Sequence, residues 1–476
     1  MSPSIEPFNE AKYRALMDGL DTEEISLANL ENSFTIGAEY YGKNYVHTAN
    51  VIKKINHKTL YEISKKITDG DHGSADYQDD GVLYLLSESV QEGYIDVSKC
   101  RFITTQKNKE LERSELHPGD VVVTKTGVYF GKSAVIPNNI SKANMIAHVG
   151  KIELKTGYNP YFVSTFLNSK YGYFQLRRRG IKATRPEIKL VEFPEIMVPI
   201  FSETFDKKIE SIIHFANQIL SCASVSMNQC ESTLTKKMGF DVDAIVNTNY
   251  SVRSFEASYC NSGRLDAEYY QPKYEEITKR IDTLDTVQSL CNIYDKNFNP
   301  DDEEKYQYIE LANVGVSGEI SEADKQIGGE LPTRARRIVK SGQIIVSSVD
   351  GSLQSCALIT DEYDGALCST GFYVLDSDTI NSETLLVLFK SEPIQALLKQ
   401  RCSGTILTAI SKDEFLSMPL PIIDESIQKD IAAKVKESFA LRKQSKQLLE
   451  YAKQAVEMAI EQGEDVALEW LKDKVN

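Results

Sequence analysis

A short stretch of this chain occurs twice, and no other feature limits the fold as much. Ala38-Glu39-Tyr40-Tyr41-Gly42-Lys43-Asn44-Tyr45 returns as Ala267-Glu268-Tyr269-Tyr270-Gln271-Pro272-Lys273-Tyr274. Tyr84, Val90 and Gly180 have counterparts in Tyr308, Val314 and Gly404, each 224 positions on. Solenoid repeats have periods of about 20 to 50 residues. A period this long predicts two homologous domains, and a chain with two like domains is suited to gripping two like things. At 476 residues there is room for two full-sized cores.

Composition narrows the class. A hydrophobic fraction of 41% and a charged fraction of 26% are those of a globular chain. Lys and Arg total 54 against 69 Asp and Glu, a net charge of −15, so any contact with nucleic acid must be local. The first ten residues are polar and no apolar run approaches the roughly 18 residues of a membrane span, so a cytoplasmic chain is expected. The eight Cys are scattered without a metal-binding spacing and are expected to be reduced, structural thiols.

The same order of elements is expected in each copy. Val82 to Leu86, Val121 to Thr124 and Ser133 to Ile136 read as strands, with turns at Pro118-Gly119-Asp120 and Gly127. Tyr308 to Leu311, Gln343 to Ser348 and Ala357 to Thr360 match them around Ser341-Gly342 and Gly351. A helix then follows in each copy, Tyr161 to Arg179 and Glu383 to Arg401. A Pro-bounded hinge, Pro199 in the first copy and Pro419 and Pro421 in the second, leads into a long amphipathic helix. Phe205, Ile209, Ile212, Ile213, Ala216, Ile219, Leu220 and Ala223 stripe the first of these. Ile427, Ile431, Val435, Leu448, Leu449, Ala452, Val456 and Ala459 stripe the second. Pairing of the two with each other is the economical arrangement. A helix over Ser202 to Met238 would be about 55 Å long.

Three stretches that look catalytic fail on spacing. Gly127-Val128-Tyr129-Phe130-Gly131-Lys132-Ser133 has three residues between its glycines where a phosphate loop needs four. A tight turn between strands is expected there. Asn159-Pro160-Tyr161-Phe162 lacks one Pro of the adenine-methyltransferase loop and reads as a helix start. Glu187-Ile188-Lys189 has half of a metal-nuclease pattern, but Leu154 to Pro186 supplies no second carboxylate. The six His form no metal spacing, so neither catalysis nor a metal is expected.

Against the acidic total, each half has a basic cluster. Arg177, Arg178, Arg179, Lys182, Arg185 and Lys189 fall within Tyr171 to Leu190, with Glu187 as the one acid there. Arg334, Arg336, Arg337 and Lys340 fall within an acid-free Leu331 to Gly342. Clustered Arg and Lys near glycines suit phosphate contacts and base-edge recognition. A solvated face or a dock for an acidic partner would give the same pattern.

With these pieces in order, the chain resembles the DNA specificity subunit of type I restriction-modification systems. The residues that carry the resemblance are Ile67-Thr68-Asp69-Gly70-Asp71-His72-Gly73, Pro118-Gly119-Asp120-Val121-Val122-Val123 with Gly127 and Gly131, Ser369-Thr370-Gly371-Phe372-Tyr373-Val374-Leu375, and Phe166-Leu167-Asn168-Ser169. The motifs are individually soft, but their order over nearly the whole chain is specific.

The resemblance implies an α+β chain with two target recognition domains, each reading half of a split DNA sequence, separated by two long antiparallel helices forming a coiled-coil spacer. The expected boundaries are 1–45 for the start of the first repeat, 46–200 for the first domain and 201–240 for the central helix. They continue as 241–274 for a linker and the start of the second repeat, 275–422 for the second domain and 423–476 for the last helix. DNA contacts are expected from the two basic clusters and from Lys66, Asp69, His72, Lys107, Lys125, Thr126, Lys132, Ser347 and Gln354. Double-stranded DNA, two methyltransferase subunits and a restriction-translocase subunit are the expected partners. S-adenosylmethionine belongs to the methyltransferase, and no cofactor is expected in this chain. The rivals are a related methylation-based phage-defence subunit, a protein-only adaptor of a defence complex, and an enzyme with an unrecognised site.

Overall fold

A computed structural model describes residues 8–20, 25–27, 30, 36–180, 186–240, 250–260, 262–281, 283–321, 323–404 and 408–475. The chain divides into two compact units. One comprises residues 1–218 and 444–476, the other residues 219–443. Both boundaries fall inside long helices, so each unit contains part of Glu203–Lys237 and part of Glu425–Gln462.

The first unit contains α1 (Lys43–Lys53) and seven main strands: β1 (Ser64–Asp69), β2 (Val82–Leu85), β3 (Arg101–Ile103), β4 (Val121–Thr124), β5 (Ser133–Val135), β6 (Ala143–Met145) and β7 (Val149–Leu154). Two helices follow, α2 (Pro160–Asn168) and α3 (Lys170–Gly180). One sheet has the order β1-β7-β4-β5, all antiparallel, and a second has β3-β2-β6 with β2 and β6 parallel. Val122, Ala134 and Val149 meet Leu85, Ala143 and Met145 in the core between the sheets. All four residues of β4 are buried, which is why its sequence is a continuous apolar run rather than an alternation.

The second unit repeats this plan. After α4 (Pro272–Ile281) come β8 (Asn292–Ile293), β9 (Lys305–Ile309), β10 (Lys325–Ile327), β11 (Ala335–Ile338), β12 (Ile344–Ser347), β13 (Cys356–Leu358), β14 (Leu367–Ser369) and β15 (Phe372–Asp376). Then come α5 (Ser382–Lys390) and α6 (Glu392–Arg401). The sheet β8-β15-β12-β13 matches β1-β7-β4-β5 strand for strand. The parallel pair of β9 and β14 matches β2 and β6. Along β12, Ile345 joins the core between the sheets, whereas Ile344 and Val346 join the core with α5 and α6. A strand turns successive side chains to opposite faces, and here both faces are covered.

The single helices predicted over Tyr161–Arg179 and Glu383–Arg401 are each two helices, broken at Ser169 and Ser391. Both serines have extended backbone. Their hydroxyls donate to the carbonyl three residues back, Ser169 to Phe166 at 2.6 Å and Ser391 to Leu388 at 2.7 Å. A hydroxyl that satisfies the end of one helix competes with its continuation, and the device recurs in both copies. The last helix also breaks, at Gly463 with φ +97°, before a second piece, Glu464–Lys474.

Within the second unit the two long helices are antiparallel. Ser438 Oγ donates to the Ala223 carbonyl at 2.8 Å, and Lys237 pairs with Asp424 at 2.5 Å. Numbers therefore rise along one helix as they fall along the other. Ala223, Cys230, Leu234, Ile431 and Val435 fill the seam. In the first unit Ile209, Ile212 and Ala216 are buried, as are Leu448, Ala452 and Val456.

Candidate nucleic-acid interface

Antiparallel register gathers distant residues at one end of the first unit's sheet. Asp69 ends β1 opposite Gly150 at the start of β7, and Thr124 ends β4 opposite Val149. The turns after Asp69 and Thr124 and the one before Val149 therefore lie together. Lys125 reaches Asp69 in a buried ion pair of 2.8 Å and also donates to the Ala147 carbonyl at 3.1 Å. His72 lies 3.2 Å from the same carboxylate oxygen, Oδ2, and Arg113 donates to Thr68 Oγ1 at 2.6 Å and contacts the other oxygen, Oδ1, at 3.4 Å. Burial alone would raise the Asp69 carboxyl, but the Lys125 ammonium and His72 hold it below the ordinary range.

Lys107 pairs with Asp71 at 3.1 Å on the neighbouring turn, and Lys66 donates to the Arg113 carbonyl at 2.8 Å. Thr126 bridges to Glu187; its buried hydroxyl has no partner among the described residues. Lys132 donates to Gln91 at 2.7 Å, and burial lowers its ammonium against the opposing pull of Glu92. Lys66, Asp69, His72, Lys107 and Lys125, far apart in sequence, are thus brought together, with Arg113 as a member the sequence did not single out. Its one signal is sequence proximity to the Pro118-Gly119-Asp120 turn, which is too weak to have found it. The exposed groups there are Lys66 and the side chains of His72, at 67%, and Arg113, at 56%.

The basic cluster on α3 has a different place. Arg178 is buried, donates Nε–H to the Tyr40 carbonyl at 2.7 Å, and stacks 4.0 Å from the Tyr40 ring. Arg179 is buried too, donating to the carbonyls of Gln175 and Glu195. Both were expected to touch DNA; instead the interior holds them, and Arg178 docks the repeated Ala-Glu-Tyr-Tyr motif onto the helix. The second unit makes the same joint with different residues. Gln400 donates to the Tyr269 carbonyl at 2.9 Å and Arg264 stacks 4.3 Å from the Tyr269 ring. Arg177 is half-buried with its guanidinium 5.9 Å from the Phe130 ring. Lys182 and Arg185 lie outside the described residues.

In the second unit the matching sheet end holds Tyr294 to Phe298, Ser348 to Gln354 and Thr370-Gly371. Arg334 is exposed there, its carbonyl accepting from Thr370 N–H at 2.8 Å; Lys340 is exposed too, but it precedes β12 and so lies at the opposite end of that sheet, in the turn whose Gly342 N–H donates to the Ile359 carbonyl. Arg336 donates to Asn299 at 2.9 Å. Arg337 is half-buried, with Nε and Nη1 lacking partners among the described residues. Gln354 is exposed at the end of the turn. Ser347 is fully buried, its hydroxyl sharing a hydrogen bond with Ser352 at 2.9 Å. It shapes the turn from beneath and is not offered to a ligand.

At the opposite end of the first unit's sheet lies an open cleft of about 930 Å³. Three of its cations are matched by acids, Lys65 with Glu153 at 3.5 Å, Lys151 with Asp120 at 2.8 Å, and His117 with Glu115 at 3.0 Å; Arg113, Lys66 and Lys155 also line it, the last two donating to backbone carbonyls. Such a cleft has little excess charge for an anion. Asn159, for its part, caps α2, accepting from Tyr161 and Phe162 N–H at 2.9 and 3.2 Å. Gly127 to Ser133 forms a strand-to-strand turn.

No protein-family model matches the chain, and no curated protein is similar to it. Among solved structures, the type I restriction-modification S subunit from M. genitalium is similar over 85% of this chain and 94% of that one, with 11% identity and a TM-score of 0.36. The HsdS subunit from Thermoanaerobacter tengcongensis is similar over 86% and 97%, with 13% identity and a TM-score of 0.30. A chain from a structure of type I R-M complex assembly and conformational transition is similar over 86% and 98%, with 13% identity and a TM-score of 0.29. Over most of its length, this chain has S (HsdS) subunits of type I restriction-modification systems as structural neighbours.

Proposed function

We propose that the chain is a non-catalytic, sequence-specific DNA-binding subunit that directs a partner adenine methyltransferase to a bipartite target. The observation that carries this reading is the repeated architecture: two units of one topology, each gathering its loops at the same end of the same sheet. One compact ligand needs one such end, whereas a split sequence needs two. Exposed His72, Arg113 and Arg334 would hold phosphates, and loop side chains would read bases. S-adenosylmethionine and the flipped adenine would belong to the methyltransferase, two copies of which would join this chain. A translocating nuclease would be a further subunit.

A protein-only adaptor is the second reading. It is favoured by the net charge of −15 and by the many cations already paired with carboxylates. Mapping methylated adenines across the host genome with and without the gene separates the two. Loss of methylation at a split motif, with one half of the motif changing when residues 46–200 are exchanged, supports DNA reading. Partner binding without any methylation that depends on the gene supports the adaptor.

A further inference from the structure

Val128 is 93% exposed at the tip of the turn between β4 and β5. A single exposed aliphatic side chain is ordinary on a protein surface. Here, however, the backbone beneath it is pinned on every side. Gly127 and Gly131 have φ of +76° and +84°, which glycine alone adopts freely. Gly127 N–H donates to the Pro186 carbonyl at 3.2 Å and Gly131 N–H to the Thr124 carbonyl at 2.9 Å. The Thr124 hydroxyl donates to the Tyr129 carbonyl, and Phe130 is buried beneath the turn. A loop fixed this firmly holds its tip residue in place without the ordering cost that a mobile loop would incur on binding.

The setting supplies the second observation. The turn lies at the sheet end that carries exposed His72 and Arg113 beside the Asp69–Lys125 pair. An apolar side chain held at a sheet end that also exposes hydrogen-bond donors suits the major groove, where thymine offers a methyl group between phosphate-lined walls. The second unit lacks this arrangement. In its equivalent turn Val349 is half-buried and bridges to Ala409, while Asp350 pairs with Lys399 at 2.8 Å.

We infer that Val128 is a specificity-determining residue that contacts the C5-methyl of a thymine in one half of the target. The inference rests on the DNA-reading role proposed above. It is tested with the full chain in its methyltransferase complex, on duplexes carrying the mapped split motif with each thymine replaced in turn by uracil, which lacks the methyl. For the unaltered chain, one replacement, within one half-site, is expected to weaken binding about fourfold, the worth of one buried methyl. Val128→Ala is expected to abolish that sensitivity and leave the other half-site unchanged. Tyr61→Ala, an exposed change just before the opposite end of β1, is expected to retain it and so controls for folding.

Unchanged uracil sensitivity in Val128→Ala, or no sensitive thymine in the unaltered chain, overturns the inference while leaving DNA reading intact. Equal weakening of every sequence by Val128→Ala, without uracil sensitivity, means a non-specific wedge and also overturns it. If the unaltered complex binds without sequence preference, the DNA-reading role falls with it.

Discussion

Asp69 and Lys125 illustrate how a residue type that sequence reading assigns to the surface can be committed to the interior. Removing the ammonium with Lys125→Met leaves a buried carboxylate whose remaining partners are His72 and Arg113. A destabilisation of about 2 to 3 kcal/mol is expected, less than for a wholly unpaired buried charge because those partners stay. Asp69 is held below its ordinary range when folded, so its contribution is present above the unfolded pKa and is lost as pH falls through the folded value. Acid unfolding curves of the two proteins should therefore converge at low pH; parallel curves would refute the pairing. Arg178 supports a contrasting expectation. Arg178→Ala should lower thermal stability by about 2 kcal/mol through the lost stacking and hydrogen bond to Tyr40. Arg113→Ala should instead weaken DNA binding, with a stability loss below about 1 kcal/mol because its half-exposed guanidinium pairs with Asp69 partly in solvent. Basic residues on α3 were legible as a cluster, but which of them face inward depends on where Tyr40 packs, and no local pattern specifies that.

At the scale of elements, α3 approaches α2 so closely at Gly172 that a Cβ there would run into the Phe166 carbonyl. Gly172→Ala should cost at least about 2 kcal/mol in chemical denaturation, since a backbone contact cannot be relieved by a side-chain rotation. The first turn of the central helix carries another testable group. Burial, with Glu464, Glu203 and Glu210 nearby, raises the Asp206 carboxyl to about 7. The folded state then binds a proton that the unfolded state releases, so stability falls as pH rises between about 4 and about 7. Asp206→Asn should flatten that fall in melting temperatures measured across the range; an unchanged slope would count against it. Three strands of each copy could be read from short apolar runs between turns, and the long helices from periodicity. The breaks at Ser169, Ser391 and Gly463 could not, because two of them depend on a serine hydroxyl finding a carbonyl and one on a left-handed glycine.

At the scale of the whole molecule, the first unit is completed by the end of the chain. Its buried Leu448, Ala452 and Val456 come from the last long helix, while the second unit needs that helix only as far as Lys443. A chain stopped after Lys443 should lose hydrogen-exchange protection throughout residues 46–218 and keep it across 272–436. Equal loss in both stretches would refute the division.

The duplication, the strand runs of each copy and the apolar stripes of the long helices follow from sequence alone. Each is a local or periodic pattern, and burial of apolar surface leaves such a pattern few ways to fold. Tertiary structure decided which charges remain available. Antiparallel register carries Asp69 to Lys125 across 56 positions, and the packing of Tyr40 against α3 takes Arg178 out of solvent. A pairing between residues so distant leaves no periodic trace in the chain, because it is set by how the strands and helices pack and not by what lies beside each residue.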